Sequence, residues 1–319
     1  MNSFKRWAGK QQNILSFSGG KDSTALYLLA LKWGVKFRAV FADTGHEHEL
    51  TLEFINTLPE KTGGPKIEVI RADFSGRFEK KRKTMIEKWP EDGVPQERIV
   101  RALELFHPTG NPFLDLCMLK GRFPSTRARF CTEELKSLPM LFQVMFPALR
   151  NGPVVSWQGV RAQESRNRAK LSRMEWGEGG SVIWRPIFNW THEQVFGLHR
   201  EMGVEPNPLY KLGMGRVGCM PCIMCQKSEV LTMAQRFPDH VDRLAEWEKI
   251  VSEVSKRGIS TFFASDTAPM PEGYDPEVDG YLGIRKIVEW SKTSRGGRQY
   301  SLLTALEEPL CTSKYGLCE

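Results

Sequence analysis

Six consecutive residues near the start of the chain combine the groups that bind phosphate. They read Ser18-Gly19-Gly20-Lys21-Asp22-Ser23. Paired glycines let backbone N–H groups turn toward an anion, the serine hydroxyls add donors and the lysine adds a positive charge. The spacing differs from a Walker A loop, which has four residues between its glycines and ends in Gly-Lys-Ser/Thr. We predict a phosphate-binding turn here, and a glycine-rich turn without a ligand is the alternative.

Cysteines form the second group of residues whose types and spacing could do chemistry. The chain has 7 of them, an odd count, and Cys219, Cys222 and Cys225 stand three positions apart. Thiolates at this spacing can share one metal, and Cys131 would supply a fourth ligand. Four thiolates suit a [4Fe–4S] cluster or a structural zinc, and reduced cysteines without a metal are the remaining alternative. The fourth position stays open to the other cysteines of the chain, Cys117, Cys311 and Cys318.

Alternating strand and helix patterns place these residues on an α/β scaffold. An apolar run over 14–17 precedes the phosphate-binding turn, and a helix pattern follows it from Thr24. Further strand patterns cover 35–42, 67–73 and 154–158. Strands that alternate with helices form a parallel sheet with right-handed crossovers. We therefore predict a doubly wound, mostly parallel sheet over 1–205, followed by a smaller, largely helical part over 206–319 that contains the cysteine run.

Two predicted strands end in residues that suit the ligand crevice at the carboxyl edge of such a sheet. The second strand ends at Asp43, whose carboxylate could bind adenosine or magnesium, or only cap a turn. His46 and Glu47 follow, and we expect them at the mouth of the same crevice. The fourth strand ends at Gly159 and Arg161. An arginine there suits forked hydrogen bonds to phosphate or sulfate oxygens, and a solvated loop is the alternative.

Composition narrows the class of protein without choosing a substrate. The 319 residues carry a net charge of +7, which suits an anionic partner such as a nucleotide or a nucleic acid. No apolar run is long enough to cross a membrane, and the first residues lack the apolar segment of a secretory signal. We expect a cytoplasmic protein with no membrane partner.

Several motifs together resemble the PAPS reductase family of the PP-loop ATP pyrophosphatase superfamily. The hexapeptide resembles the PP-loop, and the stretch from Asp43 to His46 resembles the family's Asp-Thr-Gly-His segment. The stretch around Cys131 resembles the part of the family that often serves an iron–sulfur cluster, although this chain has one cysteine there and not an adjacent pair. The motif at 159–166 and the segment 207–219 extend the similarity over 13–226.

The resemblance implies an adenine nucleotide alpha hydrolase-like fold and an adenine nucleotide ligand, ATP or PAPS. It implies an enzyme that cleaves ATP between its α and β phosphates to adenylate an acceptor, with a role in sulfur transfer, and Mg²⁺ held by Asp22 or Asp43. It makes [4Fe–4S] the first choice at Cys131, Cys219, Cys222 and Cys225, with zinc second. It assigns catalysis to Lys21, Asp22 and Arg161, and nucleotide binding to Ser16, Ser18, Gly19, Gly20, Lys21, Asp22, Ser23, Asp43, Gly159, Arg161 and Glu164, with Arg166 and Arg168 as weaker members.

Two further functions compete with adenylation. Reduction of PAPS or APS would use Cys318 or Cys131 as nucleophile, but Tyr315 stands where the reductases carry their terminal cysteine. A nucleic-acid-binding module with a regulatory nucleotide site would use the positive charge. The acceptor stays open between a nucleic acid and a sulfur carrier, and assembly into a homo-oligomer stays open as well.

Overall fold

A six-stranded sheet forms the centre of the computed structural model, which describes residues 9–263 and 283–293. The strands are β1 Gln12–Phe17, β2 Phe37–Ala42, β3 Ile67–Ile70, β4 Val154–Trp157, β5 Met174–Trp176 and β6 Val182–Trp184. Their order across the sheet is β3-β2-β1-β4-β6-β5. All neighbours are parallel except β5, which runs antiparallel to β6. The predicted doubly wound, mostly parallel α/β class is confirmed.

The helices alternate with the first strands and then continue beyond the sheet. Five follow in order as α1 Lys21–Lys32, α2 Glu49–Thr62, α3 Ser75–Lys88, α4 Gln96–Leu105 and α5 Pro112–Lys120. The successive segments Phe130–Thr132, Glu133–Ser137, Met140–Met145 and Phe146–Leu149 make up α6, and its two middle segments have π-helical hydrogen bonding. The later helices are α7 His192–Glu201, α8 Lys227–Arg236, α9 Pro238–Glu253 and α10 Gly283–Ser291. None of the described helices has the length and apolar character that a membrane span requires.

The central strand β1 is buried in the core of the sheet. Leu15 is fully buried and lies opposite Ala39 of β2 and Trp157 of β4. Strands buried on both faces read as continuous apolar runs, which is the pattern seen over 14–17. The carboxyl ends of β1 and β4 therefore lie side by side and are held by the core of the sheet.

A second core joins helices from distant parts of the chain. Phe78 of α3, Leu116 of α5, Trp247 of α9 and Ile287 of α10 belong to one buried cluster. This cluster combines sequence from both sides of the predicted boundary after residue 205, and that boundary stays a prediction. The cysteine run packs at its edge, because Ile223 and Cys225 contact the cluster as partly buried residues.

The antiparallel hairpin of β5 and β6 was not predicted. Each of its strands has three residues, which is too short for an alternating pattern to stand out. The helix after it was predicted correctly, with Thr191 as its N-cap and Gln194 completing the capping box. The Thr191 side chain accepts from the Gln194 N–H, and the Gln194 side chain accepts from the Thr191 N–H. The predicted loop over 264–280 and the terminal segment 311–319, with Cys311 and Cys318, lie outside the described residues.

Candidate functional site

The phosphate-binding turn joins β1 to α1 at the carboxyl edge of the sheet. Gly19 has a φ of +72°, and a Cβ there would lie 2.7 Å from the Thr51 side chain, so this position requires glycine. Gly20 is the N-cap of α1 and provides no side-chain cap. The start of α1 thus presents the positive end of its dipole with no capping side chain from Gly20, which is an arrangement that binds anions.

Hydroxyl groups fix the shape of this turn. Ser23 Oγ donates to the Gly20 carbonyl at 3.0 Å and accepts from the Ser18 N–H at 3.2 Å. Ser18 Oγ lies 3.1 Å from Ser23 Oγ, and Thr24 Oγ1 donates to the Gly20 carbonyl at 3.0 Å. The turn is therefore held in one conformation by its own side chains.

Two buried cations share one carboxylate at the start of α1. Lys21 Nζ lies 3.1 Å from Asp22 Oδ2, and Arg161 Nε donates to Asp22 Oδ1. The exposed fraction of the side chain is 8% for Lys21, 14% for Asp22 and 5% for Arg161. Charges with so little water around them interact strongly, and this group of three carries a net positive charge. The structure thus brings together the three residues predicted to be catalytic.

Side chains from the later part of the chain support the first turn of α1. The Tyr210 hydroxyl accepts from the Lys21 N–H at 3.0 Å, and the Lys21 ammonium lies 5.7 Å from the centre of the Tyr210 ring. His199 Nε2 lies 3.0 Å from the Lys21 carbonyl, and burial lowers the pKa of His199, so the neutral ring donates there. Asn207 Nδ2 donates to the Gly19 carbonyl at 3.2 Å. No local pattern around the turn could have indicated these supports, because they lie far from it in sequence.

Gly159 packs directly against the first turn of α1. A Cβ at this position would lie 3.1 Å from the Asp22 carbonyl and 3.2 Å from the Ser23 nitrogen, and backbone atoms cannot yield as a flexible side chain can. This close approach brings Arg161 beside the turn. Glu164 accepts from the Arg161 N–H at 2.9 Å and fixes the loop that carries it. Glu164 thus acts on the backbone of this loop.

Asp43 has partners within the chain that leave its carboxylate occupied. Its Oδ1 accepts from the Gly45 N–H at 2.9 Å, and its Oδ2 pairs with Arg71 at 2.5 Å. The hydrogen bond from the Gly45 N–H is the turn-capping role that the sequence left open as an alternative. Ser16, another predicted nucleotide-binding residue, lies within β1.

The expectation that His46 lies at the mouth of the crevice is wrong. Its ring is 1% exposed and stacks on Phe113 at 4.3 Å, with Trp247 and Phe262 packed around it. Burial lowers the pKa of His46 to about 3, so the ring is neutral. Its Nε2 donates to the Pro221 carbonyl at 3.0 Å, and its buried Nδ1 has no partner in the described part of the chain. The aromatic residues that cover it come from distant segments, so a local pattern could not show this burial.

The segment after β2 holds the cysteine run in place. Glu47 forms a β-bridge with Cys219, and the Met220 N–H donates to the His46 carbonyl at 2.7 Å. The ammonium of Lys136, from α6, donates to Cys219 Sγ at 3.3 Å. The neighbouring Cys219 and, to a smaller extent, the buried Glu47 carboxylate near the same sulfur raise the pKa of Lys136 and keep it charged. Cys219 therefore lies among charged groups that fix its position.

The four predicted metal-binding cysteines lie in one region. Cys131 lies on α6, whose Lys136 donates to Cys219 Sγ at 3.3 Å, and the Cys225 N–H donates to the Cys222 carbonyl at 2.8 Å. Burial raises the pKa of Cys219 to about 11 and that of Cys225 to about 12, so a metal must displace protons to bind. Zinc with bonds of about 2.3 Å holds its sulfurs ~3.8 Å apart, whereas no three of the described thiols lie within 4.8 Å of one another. The thiols would have to approach one another to hold zinc, and an all-thiolate donor set by itself suits a structural zinc and a [4Fe–4S] cluster alike.

A second candidate metal group lies at the start of α2 and on α9. Ligand atoms of His48, Glu49 and His240 lie within 4.8 Å of one another. The two imidazole rings are stacked, however, with their planes 4° apart and their centres 4.7 Å apart. Nitrogen lone pairs lie in the ring plane, so two parallel rings cannot point to one ion. His48 Nδ1 accepts from the Leu50 N–H and His240 Nδ1 accepts from Arg243, so the group is a hydrogen-bonded network.

Comparisons with known proteins find similar sequences over the whole length of the chain and over parts of it. The chain is 49% identical over 325 residues to an uncharacterized 37.8 kDa protein of Escherichia phage 186, and the match covers 96% of each. It is 26% identical over 251 residues to an uncharacterized protein of Methanocaldococcus jannaschii, covering 78% of this chain and 43% of that protein. A phosphoadenosine 5'-phosphosulfate reductase of Gloeobacter violaceus is 32% identical over 71 residues, which is 22% of this chain and 30% of the reductase.

One solved structure matches weakly, and one family model matches most of the chain. A PAPS reductase of Candida auris matches with a TM-score of 0.40 and 18% identity, over 67% of this chain and 85% of that one. The phosphoadenosine phosphosulfate reductase domain matches residues 12–225, which contain the turn, Arg161 and the cysteine run. The chain therefore belongs to the phosphoadenosine phosphosulfate reductase domain family.

Proposed function

We propose that the chain binds ATP at the turn between β1 and α1 and cleaves it between the α and β phosphates, transferring AMP to an acceptor. One observation carries the proposal: Lys21 and Arg161 share the carboxylate of Asp22 at the start of α1, whose N-cap Gly20 has no side chain. Two buried cations with one anion leave a positive charge that a phosphate chain would compensate. The turn keeps Lys21 and the glycines of a PP-loop intact, which favours ATP over a sulfonucleotide.

The proposed reaction requires the site to stabilise a leaving group. As the acceptor attacks the α-phosphorus, the bond to the bridging oxygen breaks and its electron pair leaves with pyrophosphate. Lys21, Arg161 and the dipole at the start of α1 would stabilise that charge, because they are fixed before the reaction. Asp22 orients both cations, and Tyr210 holds the backbone of Lys21. Preorganised donors of this kind act without reorganisation during the reaction.

Magnesium does not fit the carboxylates that the sequence assigned to it. Asp22 is engaged by Lys21 and Arg161, and Asp43 by Arg71 and the Gly45 N–H. Mg²⁺ keeps much of its water and commonly binds through substrate phosphates. A magnesium ion held by these two carboxylates therefore has no part in the proposed reaction.

The cysteine region would hold a [4Fe–4S] cluster through Cys131, Cys219, Cys222 and Cys225. A cluster can serve as structure or carry a sulfur atom during transfer. Lys136 is placed to donate to the Cys219 sulfur and to offset the negative charge of a thiolate-bound centre.

Sulfonucleotide reduction is the second candidate function, and the family's name and the match to a PAPS reductase favour it. Its reaction needs a thiolate nucleophile. Burial raises the pKa of Cys131, Cys219 and Cys225, which disfavours a free thiolate at these positions. Cys318, the other candidate nucleophile, lies outside the described residues.

A product assay separates the two functions. The protein is purified without oxygen and offered ATP with magnesium, or PAPS with a thiol reductant, and the nucleotides are resolved by chromatography. With water as the acceptor in place of the unidentified one, we expect AMP and pyrophosphate from ATP, lost in Lys21→Ala and kept in Lys66→Ala, an exposed lysine before β3. Adenosine 3′,5′-bisphosphate and sulfite from PAPS, without AMP from ATP, would overturn the proposal in favour of a reductase.

A further inference from the structure

An exposed aromatic side chain lies among cations at the edge of the sheet. Trp176 is 79% exposed, and Met174 and Leu171 beside it are 43% and 38% exposed. They belong to residues 163–176, here called the β5 edge, where β5 pairs with β6 on one side and has no described strand on the other. Large apolar groups exposed together on a regular strand mark an interaction surface.

The charge of the β5 edge indicates the kind of partner. The segment contains two carboxylates, and both have partners: Glu164 pairs with Arg168, and Glu175 pairs with Arg185 of the neighbouring loop. Three further cations are exposed and have no ion pair within the described part of the chain, namely Arg166, Lys170 and Arg173. The surface therefore offers positive charge to a partner, and two copies of it would repel each other.

The pairing of the hairpin places these cations beside the nucleotide crevice. Met174 lies opposite Trp184, the last residue of β6, so the residues just before β5 lie at the carboxyl edge of the sheet. Trp176 is two residues further along the strand, about 7 Å away at ~3.3 Å per residue. A chain of phosphates at that edge could thus run past the cations and place a base on Trp176.

Another cationic cluster in the molecule has a different explanation. Lys81, Lys120, Arg122, Lys256 and Arg257 line a cavity of about 300 Å³. Four of these cations follow the carboxyl ends of α5 and α9, where they compensate the negative ends of the helix dipoles. The β5 edge contains the 3₁₀ turn Arg168–Lys170 and the end of the 3₁₀ turn Ala162–Glu164, and no described α-helix ends within it.

We propose that the β5 edge binds single-stranded nucleic acid, with phosphates on Arg166, Lys170 and Arg173 and a base stacked on Trp176. A stacked base needs an open face, which single strands offer and duplexes do not. Positively charged grooves with exposed aromatic residues are the common means of binding single strands without sequence preference. Binding does not depend on the proposed cleavage of ATP.

The test measures binding of labelled single-stranded DNA and RNA oligomers to the full chain by fluorescence anisotropy, without ATP, at several salt concentrations. We expect Trp176→Ala to weaken binding roughly 5- to 150-fold and Trp176→Phe to retain most of it. Replacing Arg173 by Glu should flatten the dependence of log K on log salt by about 0.7, one phosphate contact. The matched controls are Phe142→Ala, an aromatic side chain 61% exposed on α6, and Lys66→Glu near the opposite edge of the sheet; both should bind as the original chain does.

Several results would overturn the proposal. These are no binding by the original chain, equal losses in the Phe142 control, or equal affinity for duplex and single strand. Trp176-dependent dimerisation or binding to anionic vesicles in place of oligomers would assign the surface to another partner. A chain that binds oligomers but releases no AMP refutes the proposed function alone, and one that releases AMP without binding refutes this proposal alone.

Discussion

Removal of the shared carboxylate gives the sharpest test of the candidate site. Asp22→Asn keeps the shape of the side chain and deletes the one negative charge between Lys21 and Arg161, whose side chains are 8% and 5% exposed. Breaking a buried ion pair by removing one partner costs about 3–5 kcal/mol. The amide oxygen keeps one acceptor, so we expect the lower end, a loss of about 3 kcal/mol in the free energy of unfolding.

An added anion should reverse part of this loss. The variant raises the net charge of the group from one to two positive charges, so pyrophosphate should bind the variant more tightly than the original chain. A ligand at 100 times its Kd stabilises the folded state by about 2.7 kcal/mol. Pyrophosphate should therefore restore most of the stability of Asp22→Asn, and the stabilisation should exceed that of the original chain at the same concentration.

The assay is urea unfolding followed by circular dichroism, with and without pyrophosphate at constant ionic strength. Asp242→Asn is the control, since its pair with Arg285 is 63% and 62% exposed and surface pairs contribute about 0–1 kcal/mol. A loss below about 1 kcal/mol in Asp22→Asn, or equal stabilisation of both chains by pyrophosphate, would refute the reasoning that the site holds surplus positive charge.

Other substitutions test the close packing of Gly159 on α1, the titration of the buried Glu248 and the proposed metal ligands. Gly159→Ala should weaken ATP binding, because its Cβ would lie 3.1 Å from the backbone of α1, while Gly197→Ala, with open space around it, should not; calorimetry compares them. Glu248 has a pKa raised to about 7 by burial, so the folded state binds an extra proton between pH ~4.5 and ~7. Stability should fall as the pH rises through that window, by up to roughly 1.4 kcal/mol per unit, and Glu248→Gln should lose this slope in urea titrations. Cys131→Ser should lower the iron content of protein purified without oxygen, and Cys117→Ser should not, by elemental analysis.

Contrary results are specific to each substitution. Equal ATP affinity of the two glycine variants would show that the turn tolerates the extra carbon. An unchanged pH slope in Glu248→Gln would assign the titration to another group. Iron lost from the Cys117 variant and kept by the Cys131 variant would exchange their roles as the fourth ligand.

The parts of the site that the sequence predicted are those in which chemistry and local structure coincide. The hexapeptide combines a strand end, two glycines and a helix start, and Gly159 with Arg161 follows another strand, so the parallel sheet brings them together. The supports of the turn could not be predicted. Tyr210 and His199 reach Lys21 from positions far along the chain, and no local periodicity encodes such a contact.

The burial of individual side chains was the second feature that the sequence did not predict. His46 is polar and follows a strand end, which indicated the crevice, but aromatic residues from α5, α9 and the segment after α9 cover it. The exposed Trp176 is the opposite case, since a tryptophan in a short apolar strand would be expected inside the protein. Both outcomes are set by packing between distant elements.

The bridge between Glu47 and Cys219 bears on the order in which the molecule assembles. Residues nearer the N-terminus leave the ribosome first and begin to fold first. The segment after β2, together with Lys136 and Cys131, is thus synthesised well before the thiols at 219–225 that dock beside it. The late cysteines meet a surface that is already made, and the four thiols of the proposed metal site are together only after residue 225 has been synthesised.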